Sequence, residues 1–239
     1  MSRTSEADAL RAVTRCLEAR GFDLHAQGFG EALGDLAEPF GIEPSSPLLV
    51  TGNTRALWPA FVTARQRGEV GPPDPLDAYT EAAHEAALRA AGATARPLWA
   101  HRGTPVLPIQ RVAERLGLCH VGPAGLAVHP VYGPWFGLRA LLVFPPGLHG
   151  GAPLPTAPAP TAAPAPSAPL PGAGPCAGCA APCRAAFDHA RRATERLDKQ
   201  GIAATWRLWV AARDACPVGR EHRYSAAQLA HHYGAAEDG

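Results

Sequence analysis

The chain has 239 residues and a mass of 24.9 kDa, the size of one ordinary domain or of one domain with a small annex. Its 22 basic and 21 acidic side chains give a formal charge of +1, which offers no start for a counterion-release argument for nucleic acid. No apolar run reaches membrane-spanning length, and the polar start Met1–Asp8 does not read as a secretory signal, so a soluble cytoplasmic protein is expected.

Residues 6–20 predict an amphipathic helix, with Leu10, Val13 and Leu17 on one face and Gly21 as its stop. Pro47–Thr51 predicts a short buried strand. A helix is expected over 74–91, opened by Asp74 with Pro75 in its first position, and another over Leu107–Leu118. A turn at Gly122–Gly125 leads to a strand over Leu126–His129, and Gly137–Phe144 predicts a strong strand.

From Pro145 to Pro175 eleven of 31 residues are proline, and large apolar groups are almost absent. Such a segment cannot bury enough surface to repay its ordering entropy, and an extended surface linker is expected there. Arg184 to about Ala215 predicts helix, broken at Gly201. A last helix should run from Ser225, a good N-cap, to Tyr233.

Six cysteines in a reducing compartment disfavour disulfides and point to metal or redox chemistry. Cys176, Cys179 and Cys183 form a C-x2-C-x3-C cluster, and Cys216 follows in a Cys-Pro pair. Three thiolates in eight residues can wrap one corner of a metal site, with the fourth brought by the fold. Soft thiolates select an iron–sulfur cluster or zinc. The alternative is a set of thiols that binds no metal. Cys16 and Cys119 read as small buried apolar groups.

The densest stretch is His129-Pro130-Val131-Tyr132-Gly133-Pro134-Trp135-Phe136-Gly137-Leu138-Arg139. Its aromatics can wall a large flat ligand, or pack a core turn. Arg139 enters a strand that is otherwise apolar on both faces. A buried guanidinium cannot shed its proton, so it needs an anion, either an internal carboxylate or one from a ligand. Arg213, Arg220 and Arg223 lie near Cys216 and could close over the same kind of group.

These segments together resemble the cobalamin-processing proteins of the MMACHC (cblC-type) family. Carrying the resemblance are Gly21-Phe22-Asp23, Pro72–Asp77, Pro105–Gly117 with Gln110, His129-Pro130 through Trp135-Phe136 and Arg139. Trp206 to Ala215 and Glu221–Ser225 through Gln228 and Tyr233 complete it. The resemblance implies an α+β fold, a flavin nitroreductase-like sheet flanked by helices. To this core the chain would add a Pro/Ala-rich insertion and a small Cys-containing C-terminal segment. The expected boundaries are a cobalamin-binding core over 1–144, the linker over 145–175 and the Cys cluster with its helices over 176–239.

It also implies reductive removal of the upper axial ligand of cobalamin, such as cyanide or an alkyl group. Gln110, His129, Pro130, Gly133, Trp135 and Phe136 would belong to the corrinoid site. Arg139 and Arg213 match the family's glutathione-site arginines. The family's fold leaves room for a flavin. No catalytic residue is identified.

Epoxyqueuosine reductases resemble the same stretches and carry iron–sulfur clusters. They have eight cluster cysteines against four candidates here, and their acidic residue falls at Arg102, which cannot act as that acid. Where animal members of the cobalamin-processing family have a histidine, Glu114 stands here, and those members lack the cysteine cluster. One [4Fe-4S] cluster on Cys176, Cys179, Cys183 and Cys216 would then relay electrons from a ferredoxin, a flavin reductase or a small thiol. The competing readings are a tRNA-modifying epoxyqueuosine reductase-like enzyme and a non-catalytic corrinoid carrier with structural zinc.

Asp23-Leu24-His25-Ala26-Gln27-Gly28 spells D-x-H-x-x-G, a cobalt-ligating pattern in Rossmann-like cobalamin domains. No such α/β unit surrounds it, and the match reads as chance.

Overall fold

The computed structural model describes residues 6–146 and 174–234. In chain order the main elements are α1 (Glu6–Glu18), β1 (Leu24–Phe29), β2 (Pro47–Asn53), α2 (Leu57–Gln66), α3 (Pro75–Ala91), β3 (Arg96–Trp99), α4 (Ile109–Arg115), β4 (His120–Val121), β5 (Ala127–Val128), β6 (Gly137–Val143), α5 (Pro182–Ala193), α6 (Lys199–Ala204), α7 (Trp206–Asp214) and α8 (Ala226–Tyr233). No helix among the described residues is long and apolar enough to cross a membrane. The expected linker lies, apart from its ends, outside the described residues.

The chain packs as two compact units. The first holds residues 6–118 with 137–146, and the second 119–136 with 174–234. Residues 119–136, expected with the N-terminal core, thus group with the C-terminal segment.

The first unit is α+β. An antiparallel sheet in the order β1-β2-β6-β3 lies with its two central strands buried. Val50 pairs with Leu141, and Leu98 pairs with Leu141 from the other side. Leu10, Val13 and Leu17 of α1 are closed off from solvent and join Phe22, Leu49, Phe61, Ala87 and Leu142 in one core. The helix ends as its sequence dictates. Gly21 adopts φ +88°, its N–H donates to Glu18 O, and the N–H of Phe22 donates to Leu17 O. A Cβ at Gly21 would lie 2.6 Å from Leu57 Cα, so both conformation and space require glycine.

The second unit is mostly helical. The short strands β4 and β5 pair with each other, α5 packs on α7, and α6 packs on α7 and α8. Trp135, Val210, Tyr224 and Leu229 form its core, with Trp206 and Tyr233 packed against them.

The helical stretch after residue 184 is not broken at Gly201. It breaks at Thr194, whose backbone is extended, and again at Thr205. Gly201 sits inside α6, where its N–H donates to the capping Asp198 carboxylate at 2.9 Å. A Cβ there would lie 2.0 Å from Arg196 O, so glycine permits a close approach rather than a stop.

Candidate functional site

His129 begins a closed turn in the second unit. Its N–H donates to Gly133 O at 2.8 Å, and the N–H of Gly133 returns a bond to His129 O at 2.9 Å. The ring turns inward, and Nδ1 accepts from the N–H groups of Val131 at 3.1 Å and Tyr132 at 3.3 Å. Nδ1 therefore carries no proton, and in the neutral ring Nε2 is the donor. Burial, with a smaller push from His222, lowers the His129 pKa to about 4, so the ring is neutral near pH 7. Tyr132 lies between two imidazoles, 4.8 Å from His129 and 4.7 Å from His222 by ring centroids.

Trp135 is fully enclosed and Phe136 nearly so. The Trp135 indole meets Tyr224 edge-on at 5.7 Å, with Arg213 5.6 Å and Arg223 5.5 Å from its ring centre. Its Nε1 is buried without a hydrogen-bond partner among the described residues. Such an enclosed ring sets the shape of the turn. Pro130, Val131 and Tyr132 are its half-buried members. Arg223 is also held by Asp214, at 2.7 and 3.2 Å, and Arg220 donates to Cys216 O at 3.2 Å.

Cys176, Cys179, Cys183 and Cys216 all line one small cavity of the second unit, about 10 Å³ and partly open to solvent. The rest of its wall is apolar, from Gly122, Leu126, Val128, Pro217 and Val218 among others. Burial pushes the Cys176, Cys183 and Cys216 thiols up, and each is pushed further by other thiols of the four. Backbone N–H groups point at the sulfurs: Ala181 to Cys179 at 3.3 Å, Arg184 to Cys183 and Val218 to Cys216. Gly122 leaves room for them, since a Cβ there would meet Cys176 Sγ at 3.0 Å. All six cysteines are free thiols. Among the described residues no three His, Cys, Asp or Glu side chains close on a single metal ion.

The remaining predicted residues lie in the first unit. Arg139 is half-buried on β6, and its Nε donates to the Asn53 amide oxygen Oδ1 at 2.6 Å. Gln110 is exposed at the second position of α4. Arg102 pairs with Glu81 at 2.8 Å. Asp23 of the D-x-H-x-x-G stretch accepts from the backbone and hydroxyl of Thr54 at 2.7 and 2.6 Å, a structural role.

Sequence reasoning missed the buried histidine of α3. His84 Nδ1 donates to Thr80 O at 2.7 Å, and its Nε2 accepts from the Thr51 hydroxyl at 2.8 Å. Burial lowers His84 to about 4 and the neighbouring His25 to about 3. Their spacing along the chain carries no signal, because strand pairing sets His25 opposite Thr51 and the packing of α3 brings His84 to that same threonine.

Neither protein-family models nor curated relatives match this chain. Among solved structures it is similar to a C. elegans B12-trafficking protein CblC, described as a human MMACHC homologue. The two share 18% identity, the match covers 92% of this chain and 88% of that one, and the TM-score is 0.56. At that identity the likeness speaks for the fold: this chain is built on the fold of that CblC protein.

Proposed function

We propose that this protein is a corrinoid-processing reductase of the MMACHC (cblC-type) family. It would bind cobalamin as substrate and remove the upper axial ligand, with one [4Fe-4S] cluster as electron relay. The observation that carries the reading is the convergence of four thiols on one cavity, in a chain with the fold of a B12-trafficking protein.

Four thiolates can hold either a cluster or zinc, and the spacing along the chain favours the cluster. A tetrahedral zinc draws four sulfurs to about 2.3 Å from one point. A cubane puts each cysteine on its own iron, so its sulfurs stand wider apart. The Cys-Pro at Cys216 is a habit of ferredoxin-type cluster ligands, and the paired knuckles usual for zinc are absent from the sequence. Bound there, the cluster would supply single electrons.

Cys176, Cys179, Cys183 and Cys216 would hold it, and the N–H groups of Ala181, Arg184 and Val218 would stabilise the charge on sulfur. For cyanocobalamin, one electron enters cobalt and cyanide leaves as an anion with the bonding pair. The electron comes from a ferredoxin, a flavin reductase or a small thiol. In the second unit His129, Pro130, Gly133, Trp135 and Phe136 would shape the corrin-facing turn, and Arg213 would offer positive charge. In the first unit, Gln110 and Arg139 are the candidates for corrinoid and anion contacts.

Anaerobic purification with metal and sulfide analysis, followed by titration with cobalamin, tests this. About four irons per chain, with equivalent sulfide and broad visible absorption, are expected. Added cobalamin should change its own visible spectrum to that of the base-off form. Zinc in place of iron would favour a corrinoid carrier. A cobalamin spectrum unmoved by the protein overturns the reading.

A further inference from the structure

The segment from Arg213 to Tyr224 lies against the His129–Phe136 turn and carries one of the four cavity thiols, Cys216, near its start. Arg213 and Arg223 bracket the Trp135 ring, with Tyr224 against its edge. His222 meets Tyr132. Between them the two backbones interlock. A Cβ at Gly219 would lie 2.2 Å from the carbonyl carbon of Tyr132, and one at Gly133 would lie 1.9 Å from Val218 O. Both glycines also take positive φ, +68° and +55°. Cys216 lies three residues before Gly219 and lines the thiol cavity with Cys176, Cys179 and Cys183.

We infer that metal loading at the four thiols clamps this strap onto the His129–Phe136 turn, so that the metal state sets how rigidly the turn is held. The inference rests on the thiol cavity being a metal site, as proposed above. Its physical basis is linkage. A group that ties Cys216 to Cys176, Cys179 and Cys183 removes freedom from the strap, and the interlocked backbones transmit this to a turn that holds no thiol. By reciprocity, whatever orders the turn should strengthen metal retention by the same factor.

Hydrogen exchange read by mass spectrometry tests it on the full chain under anaerobic conditions. Three samples are compared: iron-loaded, chelator-stripped, and reloaded with iron and sulfide. Exchange over residues 129–136 is expected to slow by about tenfold or more on loading, which corresponds to about 1.4 kcal/mol. Residues 75–91 in the first unit serve as the internal reference and should not change. Cys216→Ser should abolish the difference. Should that variant fail to fold, Cys179→Ser, outside the strap, makes the same comparison.

A chain that takes up iron and exchanges equally in both states over 129–136 overturns the clamp and leaves the metal site standing. A chain that takes up no iron overturns the metal-site reading and the clamp with it.

Discussion

The proton on His129 decides what that residue can do. Two backbone donors occupy Nδ1, and burial keeps the ring neutral, so Nε2–H is left as its donor. Removing the ring would strand the N–H groups of Val131 and Tyr132, each of which then loses a partner in a half-buried turn. His129→Leu should therefore cost about 1–3 kcal/mol in thermal or denaturant unfolding. His129→Asn should recover much of this, because an amide oxygen can take the place of Nδ1. Equal stability of the two variants would show that the turn does not depend on that acceptor. Arg139 makes a parallel case. Its Nε donates to Asn53, a fully buried residue whose Nδ2 donates in turn to Thr54 O at 2.8 Å. Asn53→Ala should cost about 1–3 kcal/mol of stability by the same measurement.

At the scale of elements, what the sequence made legible follows from burial. Helix α1 was readable because Leu10, Val13 and Leu17 face one core and Gly21 ends it with a positive φ. Strands β2 and β6 were readable because they are central in the sheet and apolar nearly throughout. The two missed strands are its edges. Strand β1 mixes one buried leucine with half-buried polar and small residues, and β3 carries Pro97, which an edge strand tolerates. Helix α2 was hidden by Pro59 in its first turn and by the absence of a capping side chain. The close spacing of Cys176, Cys179 and Cys183 pointed to a group of neighbouring thiols, and Cys216 lines the same cavity. The close approaches that require Gly122, Gly133 and Gly219 left no trace, because each answers to atoms far away or across a turn in the fold. Gly133 and Gly178 separate the two effects. Both have positive φ, but a Cβ at Gly178 meets nothing, whereas one at Gly133 meets Val218 O at 1.9 Å. Gly178→Ala should cost only the conformational strain, about 1–2 kcal/mol. Gly133→Ala should cost clearly more and should raise hydrogen exchange over the strap. Similar losses in both would mean that the strap does not press on the turn.

Across the whole molecule, the two units carry different sensitivities. The first holds His84 and His25, buried and neutral, with pKa lowered to about 4 and about 3. An unfolded chain takes up protons on these rings below their ordinary value of 6.5, while the folded chain refuses them until far lower pH. Their contribution is therefore complete above about pH 6.5 and is lost as the pH falls. Between that point and about pH 5 the loss is roughly 2 kcal/mol for each ring. The second unit has His129, which adds a term of the same sign, and it has the four thiols. Acid should then act on both units but most on the first, which holds two such rings, whereas metal removal should act on the second. Lowering the pH of the iron-loaded protein from about 7.5 to about 5 should speed exchange most in β2 and α3, around Thr51, Thr80 and His84. Chelation at neutral pH should spare those segments and speed exchange over 129–136 and 213–224. His84→Gln keeps a polar side chain at that position but removes the titrating ring, so it should flatten the acid response of α3 and leave the response to chelation intact. A chelator that loosens β2 and α3 as much as the strap would refute this separation. So would an acid response unchanged by His84→Gln.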